Sequence, residues 1–347
     1  TRTEEDVDFP DQGSGSDSGS DADGDGRKKP VLTRNEANDF TVPELTAIPK
    51  DADKLKSVFR AREEGMWYEL VPEASARRGT AKASSGVVDA ELLERLRARA
   101  SSLLDVESIV ATRDAAKSPN DSFAWLQQAK QGGTTTDKVA AMAVLVQEHP
   151  IAHLKSLEAL VGMVGKRGGA RAVVGTTLDA MVELWKDVLL PPDRKLRYFY
   201  QQDLEALPEN AKTLDRCLIV WEFEDRLKGQ YATFVERLET LSTDNLEFIK
   251  ERATKTAFQL LLHRSEQEGQ LLRLVVNKLG DPERKAASNA GYMLTRLLAQ
   301  HGGMKHVVVR EIENFMYRPG LKDRARYYAV VYLNQIVLGK RDAPGRL

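Results

Sequence analysis

From Ser118 onward the chain repeats one pattern: apolar residues spaced by three and four, then a capping or breaking residue, then the same again. No other feature constrains the fold as strongly, because no alternation of apolar and polar residues, the mark of a half-buried strand, interrupts it. Leu154, Leu157, Leu160, Val161 and Val164 trace one helical face that ends at GKRGG, and Val220, Phe223, Leu227, Tyr231, Phe234, Leu238 and Leu241 trace the longest. Helices are predicted over 118–130, 138–148, 154–164, 170–189, 212–241, 244–263, 267–279, 282–300, 304–316 and 322–338, with a short one after Asp193. Ser118-Pro119 and Thr136 or Asp137 supply starts, His149-Pro150 forces a break, and Gly280-Asp281-Pro282 compresses a terminating glycine, a capping aspartate and a first-turn proline into one turn. Such a series predicts an all-α fold, a HEAT- or armadillo-like α-solenoid of antiparallel helix pairs that repeats in structure without a shared consensus. A globular helical bundle is the alternative. On the long faces Trp185, Trp221, Phe223, Tyr231 and Phe234 stand beside leucines and valines, and are expected to pack the interior rather than to stack on bases.

Ahead of this region a helix is predicted to begin near Asp51, with Leu55, Val58, Phe59 and Arg62 at helical spacing. Another runs over 89–112, with Leu92, Leu93, Leu96, Leu103, Leu104 and Ile109 on its apolar side. The organisation expected is an acidic tail and proline-containing linker over 1–49, an N-terminal helical region over 50–117, the helical repeats over 118–339 and an unstructured end over 340–347. A start at Thr1 and the ending GKRDAPGRL lead us to expect a fragment of a longer protein. DQGSGSDSGSDADGDG, residues 11–26, has almost nothing that enters a core and is read as disordered. Within it Ser14, Ser18 and Ser20 each precede an aspartate by three residues, the spacing an acid-directed kinase reads, and are candidate phosphorylation sites.

The net charge of −1 hides an asymmetry. Residues 1–26 hold nine acids and one base, which leaves 50 of the 51 basic and 43 of the 52 acidic residues, or +7, for the remainder. An acidic tail on a mildly basic body suits a protein that handles nucleic acid or basic partners, and equally a solubilising tail. No run reaches the ~18 apolar residues that a membrane-spanning helix needs. The single cysteine, Cys217, cannot form an internal disulfide or build a cysteine-based zinc cluster.

Catalytic motifs fail residue by residue. GMVGKRGG departs from a phosphate loop, since Leu160 stands at the first glycine position and Arg167 follows Lys166. His149 and His153 are four apart but flank Pro150 and lack the glutamate of a zinc-protease motif. Cys217 lies among Leu218, Ile219 and Val220, as a small hydrophobe does. No enzyme activity, cofactor, metal or small-molecule substrate is expected. What remains is base clustered at turns: Lys166, Arg167 and Arg171; Arg194, Lys195 and Arg197; Arg318, Lys322, Arg324 and Arg326. Turns of like parity line up along one edge of a solenoid, so these are candidate phosphate contacts of an RNA-binding stripe, against a scattered solvated surface as the plain alternative. Arg194 is the exception to watch, because within DRKLR it is also placed to pair with an acid on a neighbouring helix.

Several segments, in order, resemble one family. They are MWYEL (Met66 to Leu70), DKVAAMAVLVQEHPIAHLKSLEALVGMVGKRG (Asp137 to Gly168), LLPPDRKLRYFYQQDLEAL (Leu189 to Leu207), CLIVWEFEDRLKGQYATFVERLETLSTD (Cys217 to Asp244), LVVNKLGDPERKAASNAGYML (Leu274 to Leu294) and RARYYAVVYLNQIVL (Arg324 to Leu338). The chain resembles the nucleolar complex protein 1 family, whose animal members are called CCAAT/enhancer-binding protein zeta. The resemblance implies a HEAT-like solenoid, a nucleolar location within the nucleus, pairing with a nucleolar complex protein 2 homologue, and assembly of early large-subunit (60S) ribosomal precursors on precursor rRNA. It also implies an alternative, a regulator or co-activator at CCAAT promoters. The chain departs from the family by stopping after LNQIVL, before the CCAAT-binding-factor region and the remaining repeats. A scaffold contacting only protein is a further alternative.

Overall fold

The computed structural model of the chain describes residues 56–59, 65–70, 90–117, 121–165, 171–337 and 339, except 203, 205, 206 and 209, and except the side chains of 121, 122, 171 and 172. The tail and linker over 1–49, the end over 340–347, Ser14, Ser18, Ser20, Lys166 and Arg167 lie outside the described residues. The described residues form eleven α-helices and no strand: α1 Ala90–Lys117, α2 Asp121–Gly132, α3 Thr135–Glu148, α4 Leu154–Met163, α5 Arg171–Glu183, α6 Ala211–Ser242, α7 Glu247–His263, α8 Glu268–Asn277, α9 Arg284–Gln300, α10 Lys305–Met316 and α11 Asp323–Gln335.

Local chemistry sets the ends. α3 starts at a reciprocal cap, in which the Asp137 N–H donates to Thr134 Oγ1 (3.2 Å) and the Thr134 N–H donates to the Asp137 carboxylate (3.0 Å). The cap thus lies at Thr134 rather than at Thr136 or Asp137, because the hydroxyl three residues ahead of an acid closes both bonds. α3 stops at Glu148 just before Pro150, whose ring carries no N–H, and helix resumes at Leu154. α5 continues as one wide turn over Leu184–Leu189, closed by Leu190 N–H to the Trp185 carbonyl (3.0 Å).

Packing is serial along the chain. The odd-numbered helices α3, α5, α7 and α9 touch in series, and so do the even-numbered α4, α6, α8 and α10, giving two rows; α1 lies along α6. Helix ends are stitched within each row by side chains from two helices further on. In the even row, Arg237 of α6 donates to the Val161 and Val164 carbonyls ending α4 (2.9 Å to the latter), and Lys278 donates to the Ser242 carbonyl ending α6. In the odd row, Arg264 donates to the Lys186 carbonyl (2.8 Å), and His301 Nε2, which faces an acceptor and therefore carries the proton, donates to the Leu262 carbonyl ending α7 (2.8 Å). Each stitch fills an orphan carbonyl, and a cation there also opposes the negative end of the helix dipole.

The interior is leucine and valine around a few aromatics. Trp185, Trp221, Phe223, Tyr231 and Phe234 are all buried, as their helical faces require. At Gly280 the turn after α8 passes so near α10 that a Cβ would stand 2.9 Å from the Phe315 ring, so the glycine serves close approach.

Three expectations need correction. Lys56–Phe59 is a bend, not helix, because the Val58 N–H donates to Glu107 of α1 (2.9 Å), which also accepts the Ser57 hydroxyl, rather than to a carbonyl of its own turn. Ile109 is 52% exposed; the buried stripe of α1 is Leu96, Ala100, Leu103, Leu104, Glu107 and Val110, in which burial raises the Glu107 pKa. The residues after Asp193 do not form a helix beyond a single tight turn, Phe199–Gln201.

Candidate nucleic-acid interface

Between the end of α5 and α6 the segment 190–202 crosses α6 as a strap. Between Leu190 and the Gln201 N–H its backbone is not helical, and Glu224 and Asp225 of α6, with Glu266 ahead of α8, receive three of its N–H groups. The Leu196 N–H donates to Glu266 (2.7 Å), the Arg197 N–H to Glu224 (2.9 Å) and the Phe199 N–H to Asp225 (3.0 Å). Lys228 donates to the Leu196 carbonyl (2.7 Å) and pairs with Glu266 (3.0 Å). Glu224 is only 2% exposed, and it also accepts Gln202 Nε2 (3.0 Å) and both ends of the Arg194 guanidinium (3.3 Å to Oε2). A carboxylate so deeply buried is stable only because every lone pair has a donor. Asp225 additionally pairs with Arg97 (2.6 Å), and Asp215 with Arg99 (2.8 Å), fastening α1 to the same helix.

The strap therefore decides the fate of its basic residues. Arg194 is bound to Glu224, and its guanidinium stands over the Trp67 ring. Lys195 points outward to an exposed pair with Glu268 (2.8 Å). The half-buried Arg197 guanidinium has no ion-pair partner among the described residues. In the turn before α11, Arg318 donates to Asn277 (2.6 Å) and lies over the Phe315 ring, while Arg324 lies over Tyr328 and Arg326 makes a long contact with Asp323 (3.4 Å). Lys322 is exposed. Arg171 begins α5.

These clusters do not share one edge. Arg318, beyond even-numbered α10, contacts Asn277 at the end of α8, so the Arg318–Arg326 cluster follows the ends of even-numbered helices. The strap follows odd-numbered α5 and touches Glu266 and Glu268 beyond α7, which puts Arg194, Lys195 and Arg197 on the opposite edge. Parity separates these two clusters, while Lys166 and Arg167 of the third lie outside the described residues.

Sequence reasoning missed what stands beside these bases. Tyr198 and Tyr200 are 36% and 59% exposed and lie ring on ring, with centroids 5.5 Å apart and planes 9° from parallel. Phe199 between them turns inward against Trp221. The RYFY alternation was the available signal.

The remaining candidates are structural. Burial pushes the Cys217 thiol up to about 11, far from a thiolate nucleophile. His149 Nδ1 accepts the Ala152 N–H (3.2 Å). Burial, then the charges of His149 and Lys130, lower His153 to about 4. Among the described residues no three His, Cys, Asp or Glu side chains gather as a metal would require, and no helix is long and apolar enough to cross a membrane.

Fold and site together define an all-α protein of serially packed helices with basic turns on two edges. No family model matches the chain. It is 46% identical over 214 residues to Protein SLOW WALKER 2 of Arabidopsis thaliana, covering 61% of this chain and 20% of that protein. It is 40% identical over 226 residues to human CCAAT/enhancer-binding protein zeta (64% and 21%), and 35% identical over 267 residues to Ribosome biogenesis protein NOC1 of Chaetomium thermophilum (72% and 25%). The chain spans about a fifth to a quarter of the length of these relatives. It belongs to the nucleolar complex protein 1 and CCAAT/enhancer-binding protein zeta family.

Proposed function

We propose that the chain is a HEAT-like solenoid scaffold of a non-enzymatic, nucleolar assembly factor for the large (60S) ribosomal subunit. It binds precursor rRNA through phosphates and joins a nucleolar complex protein 2 homologue. The observation that carries this is kinship with a protein named for ribosome biogenesis, at 35% identity over most of the chain. The two rows of helices support the solenoid, and exposed cations at Lys195, Lys322, Arg324 and Arg326, with the half-buried Arg197, support phosphate contact. Arg194 and Arg318 position neighbouring elements in this scheme.

The human relative's name favours a second reading, binding at CCAAT promoters. Competition between a precursor rRNA fragment and a CCAAT duplex, at stated salt, separates the two. Preference for rRNA with a steep salt slope is expected; preference for the duplex assigns the chain to promoters. A binding assay with purified nucleolar complex protein 2 and no RNA tests the partner.

A further inference from the structure

The strap carries more than charge. Its backbone is fixed by three carboxylates, two of them on α6 and one ahead of α8, before any ligand arrives. Such support is what a preorganised site needs, since ordering that precedes binding is not charged against affinity. Outward from this frame stand the two parallel tyrosine rings, with the half-buried Arg197 directly before them in the chain. Tyr198 is held from beneath by the Lys228 ammonium, 5.0 Å from its ring centre and itself fixed by Glu266 and the Leu196 carbonyl. Tyr200, the outer member, has the more open ring.

A buried aromatic pair is ordinary core. An exposed pair, stacked face to face on an immobilised strap and next to a cation that has no carboxylate partner among the described residues, presents a flat π surface with a hydrogen-bond donor for phosphate at its side. The geometry points to a stacking platform for an unpaired base of single-stranded RNA: a nucleobase extends the Tyr198–Tyr200 column, and Arg197 and Lys195 contact the adjoining phosphates. Duplex RNA, whose bases are stacked within the helix, does not use the rings. A strap that served protein contact alone would have no reason to discriminate between strands. The inference rests on the RNA-binding function proposed above and narrows it to a strand class and an address.

The test uses the whole chain, with a fluorescent single-stranded RNA of about 12 nucleotides and mixed sequence, and with the same sequence as a duplex. Y198A/Y200A is expected to weaken single-strand binding by about thirtyfold, to change duplex binding less than about twofold, and to leave the salt slope unchanged. Y198F/Y200F is expected to bind as the parent does, because stacking needs the ring and not the hydroxyl. R197Q is expected to reduce the single-strand salt slope by about 0.7. The thermal midpoint of each variant controls for folding, with Y200A, the more exposed position, as the milder substitution.

The inference is overturned if Y198A/Y200A binds single strands normally, loses both strand classes equally, or loses a protein partner while keeping RNA. A parent chain that binds neither RNA overturns the RNA-binding function as well. Tyrosines dispensable in a chain that does bind RNA sink the platform alone.

Discussion

The two edges of the array handle the same kind of sequence in opposite ways. On the odd edge DRKLR crosses an acidic stretch of α6, and its first arginine is drawn into a buried carboxylate while two tyrosines are left facing out. On the even edge the basic residues before and within the first turn of α11 meet Asn277, aromatic faces and Asp323, with a loose contact of Arg318 to Glu311 (3.7 Å), and Lys322, Arg324 and Arg326 stay exposed. The five histidines also divide unevenly: His149, His153, His263, His301 and His306 all fall in or beside turns on the odd edge. A cluster of bases at a turn thus has no function of its own until the helix it crosses is known.

The sharpest way to break this contrast is Glu224→Ala. It strips the partner from Arg194, about a third exposed, and an acceptor from the Arg197 N–H and Gln202, and is expected to cost about 3 kcal/mol in urea unfolding. Arg318→Gln on the other edge is expected to cost less than about 1 kcal/mol. Equal losses would erase the distinction between an anchored strap and an open turn.

Next in size is Gly280→Ala, which presses a methyl against Phe315 and is expected to cost about 1–3 kcal/mol. Combining it with Phe315→Leu should lower stability by less than the sum of the two single changes, since the clash is shared. Additive losses would mean that the even-row turn has room to move.

Acid sharpens the contrast in another way. His153 has a folded pKa of about 4 against an ordinary 6.5, so below pH 6.5 the unfolded chain takes up a proton that the folded one refuses. Its contribution is complete above pH 6.5 and is lost as the pH falls toward 4. His153→Gln should flatten the fall in unfolding free energy across that window. An unchanged profile would remove the odd edge as the source.

The smallest stability effect is expected for K322Q/R324Q/R326Q, within about 0.5 kcal/mol of the parent. Yet this variant should lower the slope of RNA affinity against salt by about 2. A large drop in melting temperature with an intact salt slope would show these residues to be structural.

Much of this architecture could be read beforehand, because helix existence follows from apolar spacing and from breakers such as His149-Pro150 and Gly280. Burial of Trp185 and Tyr231 followed the same rule. The strap could not be read so: LPPDRKLRYFY carries a helical mix of residues, but its donors face carboxylates up to 70 residues away, which no local pattern encodes. Glu107 broke its apolar stripe for the same reason, its partners being 49 and 50 residues earlier. The basic clusters were visible, whereas their division between edges depends on the parity of the turns in three dimensions.

The stitches between helix ends bear on how the chain is made. Each carbonyl end is closed by a residue translated later: Val161 waits 76 residues for Arg237, Lys186 waits 78 for Arg264, Ser242 waits 36 for Lys278 and Leu262 waits 39 for His301. At roughly 5–20 residues per second, a nascent helix on the ribosome keeps its last turn unsealed for seconds. The growing tip of the array is therefore always its least finished part, and each newly synthesised pair completes the pair before it.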